Sequence, residues 1–276
     1  MYIDAHHHLW NFDPIDYDWI DESMSILKKD FLLNDLKNTL YINGFSSSIA
    51  VQARQSLEET QWLLDIAKQT DLIKGVVGWI DLKSEKLEQA LAAFSHHDKL
   101  VGFRHVLQGE ADADFMLNPD FIRGLKMIAD KGYRYDLLIF ANQLSSAEKM
   151  LSQVPNLHVV IDHIAKPDIK TKNDFDTWQL GMAKLAEYPN CYCKLSGMVT
   201  EADWKHWQTA DFQPYMKTLL TLFGVERLMF GSDWPVCLVA AEYQKVKQLV
   251  MDFIADNAPN GKQAIFADNA CRFYQI

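Results

Sequence analysis

Short apolar runs rich in β-branched and aromatic residues alternate along the chain with longer stretches whose apolar residues recur every three or four positions. The short runs are typical of buried strands and the longer ones of amphipathic helices. Eight strand-like runs occur, at residues 2–10, 47–54, 73–82, 100–108, 133–140, 157–165, 190–198 and 227–234. Strands that alternate with helices form parallel βαβ units, and eight such units predict an α/β fold, a (β/α)8 TIM barrel.

The helical stretches between these runs lie at residues 56–69, 84–97, 119–132, 144–154 and 176–188. Two of them carry clear end signals. Ser56 precedes the first, Asn118–Pro119 opens another, and Gly132 closes that same helix, as capping residues do. A doubly wound open sheet is the alternative arrangement, but its GxGxxG fingerprint is absent after the first strand. We therefore predict a single barrel domain over residues 1–276.

The first strand, within MYIDAHHHLW, carries three adjacent histidines and an aspartate. Because alternate side chains of a strand share a face, we expect Asp4, His6 and His8 to point one way and His7 the other. Two imidazoles at this spacing can converge on one metal ion. A half-buried polar strand end explains the decapeptide equally well. The choice between a metal site and a polar strand end therefore depends on the residues of the other strands.

Active-site groups of TIM barrels come from the carboxyl ends of several strands, together with loops such as the long first one at residues 10–32. Alone, His163 fits an ordinary core histidine, and Asp233 fits a turn residue or a helix cap. Strands one and eight are neighbours in a closed barrel, however, so Asp233 is expected beside His6 and His8. The polar or aromatic residues at the predicted ends are His6, His8, Gln52, Arg54, Trp79, Asp81, Arg104, His105, Asp136, His163, Lys194, Ser196 and Asp233.

Composition narrows the classes of partner. The 276 residues are 49% hydrophobic and 23% charged, as in ordinary globular proteins, and the net charge is −10 with no basic run. This argues against nucleic acid or an anionic membrane as a partner. No apolar stretch approaches the ~18 residues of a membrane span. Because the first predicted strand begins at residue 2, we expect no signal peptide. Four cysteines without CxxC spacing predict reduced thiols and a cytoplasmic protein. An acidic surface with several exposed aromatic residues is compatible with either a monomer or a homodimer.

Five motifs resemble the amidohydrolase superfamily, in its amidohydrolase-related family 2. They are DAHHHLW, GFRHVLQ, IDHIAKP, KLSGM and FGSDWPV, and the resemblance extends from residue 3 to FADNACRFY at 266–274. The VQA, EET and SDWP stretches are most similar to the sugar-lactonase branch, which includes L-fuconolactonase and L-rhamnonolactonase. The resemblance implies a metal-dependent hydrolase barrel that opens a sugar lactone to the free acid.

The resemblance also implies roles for individual residues. His6, His8, His163 and Asp233 would bind one divalent metal, with zinc the expected ion, and Asp233 would also be the general base. Binuclear relatives bridge two metals with a carboxylated lysine, commonly on the fourth strand, and GFRHVLQ has none. The metal would activate the carbonyl and water, Asp233 would move the proton, and His163 would complete the metal shell or bind the carbonyl oxygen.

Substrate contacts follow from the remaining residues near the strand ends. Tryptophans can stack on a sugar face, and arginines can bind hydroxyl groups or a carboxylate. Few arginines lie near the predicted strand ends, which favours a neutral polyol lactone over a dicarboxylate as the substrate. The expected substrate-binding residues are Trp10, Arg54, Trp79, Arg104, His105, Lys194 and Trp234.

Two alternatives remain open at this stage. The first is another reaction of the same scaffold, either hydrolysis of an aromatic dicarboxylate or muconolactone-like substrate, or metal-dependent decarboxylation. The second is a barrel that binds a sugar lactone without turning it over. A base placed beside a histidine pair argues against the second, because a binding protein has no use for it.

Overall fold

Eight parallel strands form a sheet in sequential order in the computed structural model, which describes residues 2–276. Each strand pairs in parallel with the next one along the chain. The strands are β1 (Ile3–His7), β2 (Ser47–Val51), β3 (Ile73–Gly78), β4 (Leu100–Val106), β5 (Arg134–Leu138), β6 (Val159–Ile161), β7 (Cys191–Leu195) and β8 (Leu228–Phe230).

The sheet closes into a barrel through the residues that follow β8. The amide of Asp233 donates to the His6 carbonyl at 2.9 Å, and the amide of His8 donates to the Trp234 carbonyl at 2.7 Å. The buried carboxylate of Asp4 reinforces this seam, because it accepts hydrogen bonds from the amide and hydroxyl of Ser232 and from the hydroxyl of Tyr243. The predicted (β/α)8 barrel is therefore confirmed.

Helices follow the strands and cover the outside of the barrel. Ser56 caps the second helix and Asn118 the fourth, and Gly132 has the positive φ of a helix-terminating glycine, as the sequence predicts. In the part of the chain that the structure describes, no helix is both long and apolar enough to cross a membrane. The helices are α1 (Leu33–Asn43), α2 (Leu57–Lys68), α3 (Leu87–Phe94), α4 (Pro119–Asp130), α5 (Leu144–Gln153), α6 (Phe175–Ala186), α7 (Thr209–Phe223), α8 (Tyr243–Asn257) and α9 (Asn269–Tyr274).

The apolar core has two layers. The larger layer fills the space between the strands and the outer helices. The smaller layer lies inside the barrel, where side chains of β1 to β4, such as Val51 and Val77, meet Ala270, Phe273 and Tyr274 of α9. Since α9 packs against the barrel interior and not on its outside, it plugs the end opposite the carboxyl ends of the strands.

A bulge in β1 separates residues that strict alternation would place together. Asp4 pairs with Ser48 and His7 with Ala50, so three steps along β1 oppose two steps along β2. As a result, Asp4 reaches outward to Tyr243 of α8, whereas His6 points into the barrel and lies 3.0 Å from Nζ of Lys194. The prediction that Asp4 shares a face with His6 and His8 is wrong, because the bulge shifts the alternation between them.

Candidate active site

Three histidines and an aspartate converge at the carboxyl ends of β1, β6 and β8. The Nε2 atoms of His6 and His8 are 3.2 Å apart. Oδ1 of Asp233 lies 3.3 Å from Nε2 of His8, 3.7 Å from Nε2 of His163 and 3.8 Å from Nε2 of His6. All four side chains are buried. The sequence predicted this convergence, and the structure brings the four residues together.

These residues fit a divalent metal ion. The ligand atoms of His6, His163 and Asp233 all lie within 4.8 Å of one another. Two ligands at about 2.1 Å from a tetrahedral zinc ion are about 3.4 Å apart, close to the separations of 3.2–3.8 Å found here. Oδ1 of Asp233 is buried and accepts no well-directed hydrogen bond, so it remains free to bind a cation.

The other ring nitrogen of each histidine is held by a partner. Nδ1 of His8 lies 2.8 Å from the Val51 carbonyl, and Nδ1 of His163 lies 2.9 Å from Oγ of Ser196. Nδ1 of His6 lies 3.0 Å from Nζ of Lys194 and 3.3 Å from Oδ1 of Asp162. A carbonyl partner fixes a proton on Nδ1 of His8, which leaves the lone pair on Nε2 for a metal.

Burial and charge set the protonation states that metal ligands need. Burial lowers the pKa of His6 well below its ordinary value and lowers that of His163 to about 4. Burial opposes ionisation of Asp233, but the neighbouring His163 and His8 outweigh it and lower the pKa of that carboxyl. His6 and His163 are therefore neutral at physiological pH and the aspartate is ionised.

A buried charged network lies directly behind His6. The ammonium of Lys194 is fully buried, forms an ion pair with Asp136 and lies 3.0 Å from Oδ1 of Asp162. Nη1 of Arg104 lies 3.1 Å from Oδ2 of Asp162 and 3.3 Å from Nε2 of His6. Two cations and two carboxylates thus balance under the site, and Asp162 connects them to a ligand histidine.

The backbone adopts an unusual conformation around His163 and Asp233. Residues 163–166 all have positive φ, at 52°, 53°, 60° and 46°, and Asp233 has a φ of 57°. Each non-glycine residue in this region costs about 1–2 kcal/mol, so surrounding contacts have to hold the turn. The turn brings two of its side chains, those of His163 and Lys166, to the same cavity.

This cavity has a volume of about 510 Å³ and opens at the mouth of the barrel. His8, His163 and Asp233 lie on its wall together with Arg54 and Arg104. The first loop contributes Asp16, Asp18, Trp19 and Met24, as expected from the placement of residues 10–32 at the mouth. A small polar ligand can therefore reach the carboxylate and the imidazoles.

Comparison with known proteins places the chain in a family. A sequence model of the amidohydrolase family matches residues 3–276. The chain belongs to the amidohydrolase family. It is 37% identical over 284 residues to the L-fucono-1,5-lactonase of Burkholderia multivorans (strain ATCC 17616 / 249), with 99% of this chain and 96% of that protein aligned.

Further relatives agree with this assignment. The chain is 33% identical over 281 residues to the L-fucono-1,5-lactonase of Burkholderia ambifaria, covering 99% of this chain and 95% of that protein. A crystal structure of an amidohydrolase from Burkholderia multivorans with bound zinc superposes with a TM-score of 0.96 at 37% identity, covering 100% of this chain and 99% of that chain. This amidohydrolase therefore shares sequence with two L-fucono-1,5-lactonases and architecture with a zinc-bound amidohydrolase.

Two of the residues predicted to bind substrate lie on the outer side of the barrel wall. Side chains alternate along β4, so Arg104 faces the cavity and His105 faces away from it. Nδ1 of His105 lies 3.4 Å from Nε1 of Trp79, and its ring stacks on Phe115 at 5.0 Å. The structure thus places Trp79 and His105 in packing contacts outside the cavity wall, and their contact with substrate stays a prediction.

Three further residues predicted to bind substrate are buried away from the cavity. Trp10 is fully buried and donates from Nε1 to the Lys29 carbonyl. Trp234 packs edge-on against Phe31 at 5.3 Å. Lys194 lies below His6 in the charged network. None of the three lines the cavity, so their contact with substrate stays a prediction. Arg54 and Arg104, from the same predicted set, do line it.

The structure also identifies cavity residues that the sequence did not single out. Trp19 and Trp204 line the cavity, as do Lys166 and Glu201, which form an ion pair. Asp162, immediately before His163, was likewise missed as the partner of His6. The IDH triplet offered a signal for Asp162, but no sequence pattern indicates the left-handed turn that carries Lys166.

Gly197 leaves space for the ring of His163, and its replacement provides a first test. It has a φ of +60°, and a Cβ there would lie 2.5 Å from Cγ of His163. We expect Gly197→Ala to lower kcat about 100-fold, because a misplacement of about 1 Å can cost that much. Gly132→Ala is the control, since Gly132 has a φ of +83° and open space around it. Equal kcat values in the two variants would disprove the steric argument.

Proposed function

We propose that this amidohydrolase opens a sugar lactone to the free sugar acid by attack of water, with Asp233 as the general base. The observation that carries the proposal is an ionised, buried carboxylate 3.3–3.8 Å from three imidazole nitrogens on the wall of an accessible cavity. The two L-fucono-1,5-lactonases of Burkholderia, which align with almost the whole chain, support this reaction class.

In the proposed mechanism, Asp233 accepts the proton of the attacking water as the water oxygen bonds to the lactone carbonyl carbon. When the ring carbon–oxygen bond breaks, Asp233 returns the proton to the departing ring oxygen, so no net proton remains on the protein. A divalent ion held by His6, His8, His163 and Asp233 would supply a Lewis acid for the carbonyl and for water. The guanidinium of Arg104, which lines the cavity 3.3 Å from Nε2 of His6, would supply positive charge to the carbonyl oxygen as it becomes negative.

The finer assignments belong to the same proposal. We propose that zinc is the bound ion, since three imidazoles and one carboxylate form a ligand set that zinc accepts. We also propose that residues 1–276 form one domain that works in cytoplasmic carbohydrate metabolism, as a monomer or homodimer. The net charge of −10 supports the expectation that neither nucleic acid nor membrane is a partner.

The experiment that tests the reaction is a pH-indicator assay with a panel of 1,4- and 1,5-aldonolactones, run with zinc and with chelator. Acid release above the rate of spontaneous ring opening is the expected result. A panel without any acid release, followed by release of carbon dioxide from a carboxylated substrate, would replace lactone hydrolysis by decarboxylation.

Metal binding has a test that does not depend on turnover. We expect chelator-treated protein to bind about one equivalent of zinc and to gain about 2.7 kcal/mol of stability at a zinc concentration 100-fold above Kd. His6→Ala should abolish the zinc-dependent rise in Tm. His206→Gln should keep it, because the ring of His206 is exposed, pairs with Asp203 and is not part of the cluster. An unchanged zinc response in His6→Ala would place the metal elsewhere.

A further inference from the structure

The ion pair of Lys166 and Glu201 forms part of the wall of the catalytic cavity. Nζ of Lys166 lies 3.1 Å from Oε1 of Glu201, and both side chains are only 17% exposed. Lys166 ends the left-handed turn that begins at His163, and its amide donates to the His163 carbonyl at 2.8 Å. The same strained turn therefore positions a member of the metal cluster and the ammonium of this pair.

Both members of the pair keep hydrogen-bonding capacity for a ligand. Within residues 2–276, Oε1 of Glu201 takes the contacts with Lys166 and with Oγ1 of Thr200, at 3.3 Å, which leaves Oε2 for a ligand. The ammonium of Lys166 has three hydrogens, of which Glu201 uses one. A donor and an acceptor are thus offered side by side, which matches two adjacent hydroxyl groups.

An aromatic face completes this part of the wall. Trp204 lines the cavity next to Thr200 and Glu201, and its Nε1 donates to the Thr200 carbonyl at 2.8 Å. Because the polar edge of the indole is already satisfied, its faces are left for apolar contact. A sugar ring has the corresponding surfaces, with hydroxyl groups at its edge and C–H groups on its face.

We propose that Lys166 and Glu201 bind two adjacent hydroxyl groups of the lactone, so that the pair selects polyhydroxylated lactones over unsubstituted ones. This inference rests on the proposed lactone hydrolysis and names the residues that set its substrate class. Sites built to hydrogen-bond a substrate hydroxyl discriminate strongly against analogues without it, because their polar groups are then left unpaired.

The experiment compares an aldono-1,5-lactone with δ-valerolactone, which has the same ring without hydroxyl groups. We expect Lys166→Met to lower kcat/KM for the aldonolactone about 100-fold. This is less than the largest discrimination that a hydroxyl-binding site achieves, because the pair is partly exposed. The kcat/KM for δ-valerolactone should change less than about threefold. Glu201→Gln should show the same selectivity and serves as the second variant if Lys166→Met does not fold.

Lys170→Met is the matched control. Lys170 is close in sequence and pairs with Asp203 at 3.9 Å, but it is 62% exposed and lines only a neighbouring surface cavity. Lys170→Met should leave kcat/KM unchanged for both lactones.

The possible outcomes distinguish hydroxyl binding by Lys166 and Glu201 from the lactone hydrolysis on which this inference rests. An equal loss for both lactones in Lys166→Met would overturn the inference, because it would reflect the charge near Asp233 or a structural role. No loss for either lactone would overturn it as well. If the wild-type enzyme hydrolyses neither lactone, the proposed function fails and the inference fails with it. A loss confined to the aldonolactone, with the Lys170→Met control unchanged, supports both.

Discussion

Asp233→Asn is expected to lower kcat for lactone hydrolysis by about 10³–10⁴-fold, near the upper end of what a general base contributes, because a metal ligand is weakened at the same time. The amide of Asn has almost the same shape as the carboxylate but cannot accept the proton of water. Measurement of kcat at saturating lactone and saturating zinc checks this expectation.

Folding should survive this substitution. Asn tolerates positive φ better than most residues, so the φ of 57° at position 233 is retained. The hydrogen bond from the amide of residue 233 to the His6 carbonyl is made by the backbone and also remains. Asp211→Asn, at an exposed ion pair with Lys172, is the control and should keep full turnover. Wild-type turnover in Asp233→Asn would require a different base.

Lys194→Met is expected to lower the free energy of unfolding by about 3–5 kcal/mol, since it leaves Asp136 and Asp162 buried without their shared cation. Burial already raises the pKa of Asp136 to about 6 against the opposing charge of Lys194. Without the ammonium, one of these carboxyls has to take up a proton or draw in water. Urea denaturation of chelator-treated protein measures the loss and excludes any contribution from bound metal.

A surface ion pair provides the comparison for this prediction. Lys184 pairs with Glu187 at 3.1 Å, but its side chain is 57% exposed. Lys184→Met should leave the free energy of unfolding almost unchanged, because water screens the pair. The double variant Lys194→Met/Asp136→Asn should recover part of the stability by removing one unpaired charge. A loss below 1 kcal/mol in Lys194→Met would mean that the network is not a significant source of stability.

The sequence predicted the barrel and the convergence of His6, His8, His163 and Asp233 because both depend on long-range regularities. Parallel strands bring their carboxyl ends to one edge, so residues far apart in sequence share a location without any knowledge of side-chain direction. The sequence could not tell which strand-end side chains face the cavity, because that depends on side-chain direction. His105 follows Arg104 directly, and one step along a strand turns a side chain to the other face.

The sequence pattern also could not predict two features of the local backbone, the bulge in β1 and the turn at 163–166. The bulge that moves Asp4 away from His6 uses ordinary residues and contains no glycine. The turn at 163–166 has positive φ at four residues that rarely adopt it, so propensity argues against the observed conformation. The contacts of Lys166 and Glu201 depend on that turn, so the sequence pattern could not predict them.

The closure of the barrel also has a consequence for synthesis on the ribosome. β1 is made first, yet its closing partners at residues 232–234 come more than two hundred residues later, as the separation of 228 between Asp4 and Ser232 shows. The hydroxyl of Tyr274 bonds to Asp136, 138 residues earlier, so the base of the charged network also waits for α9. Throughout elongation β1 is therefore an unpaired edge able to pair with other chains.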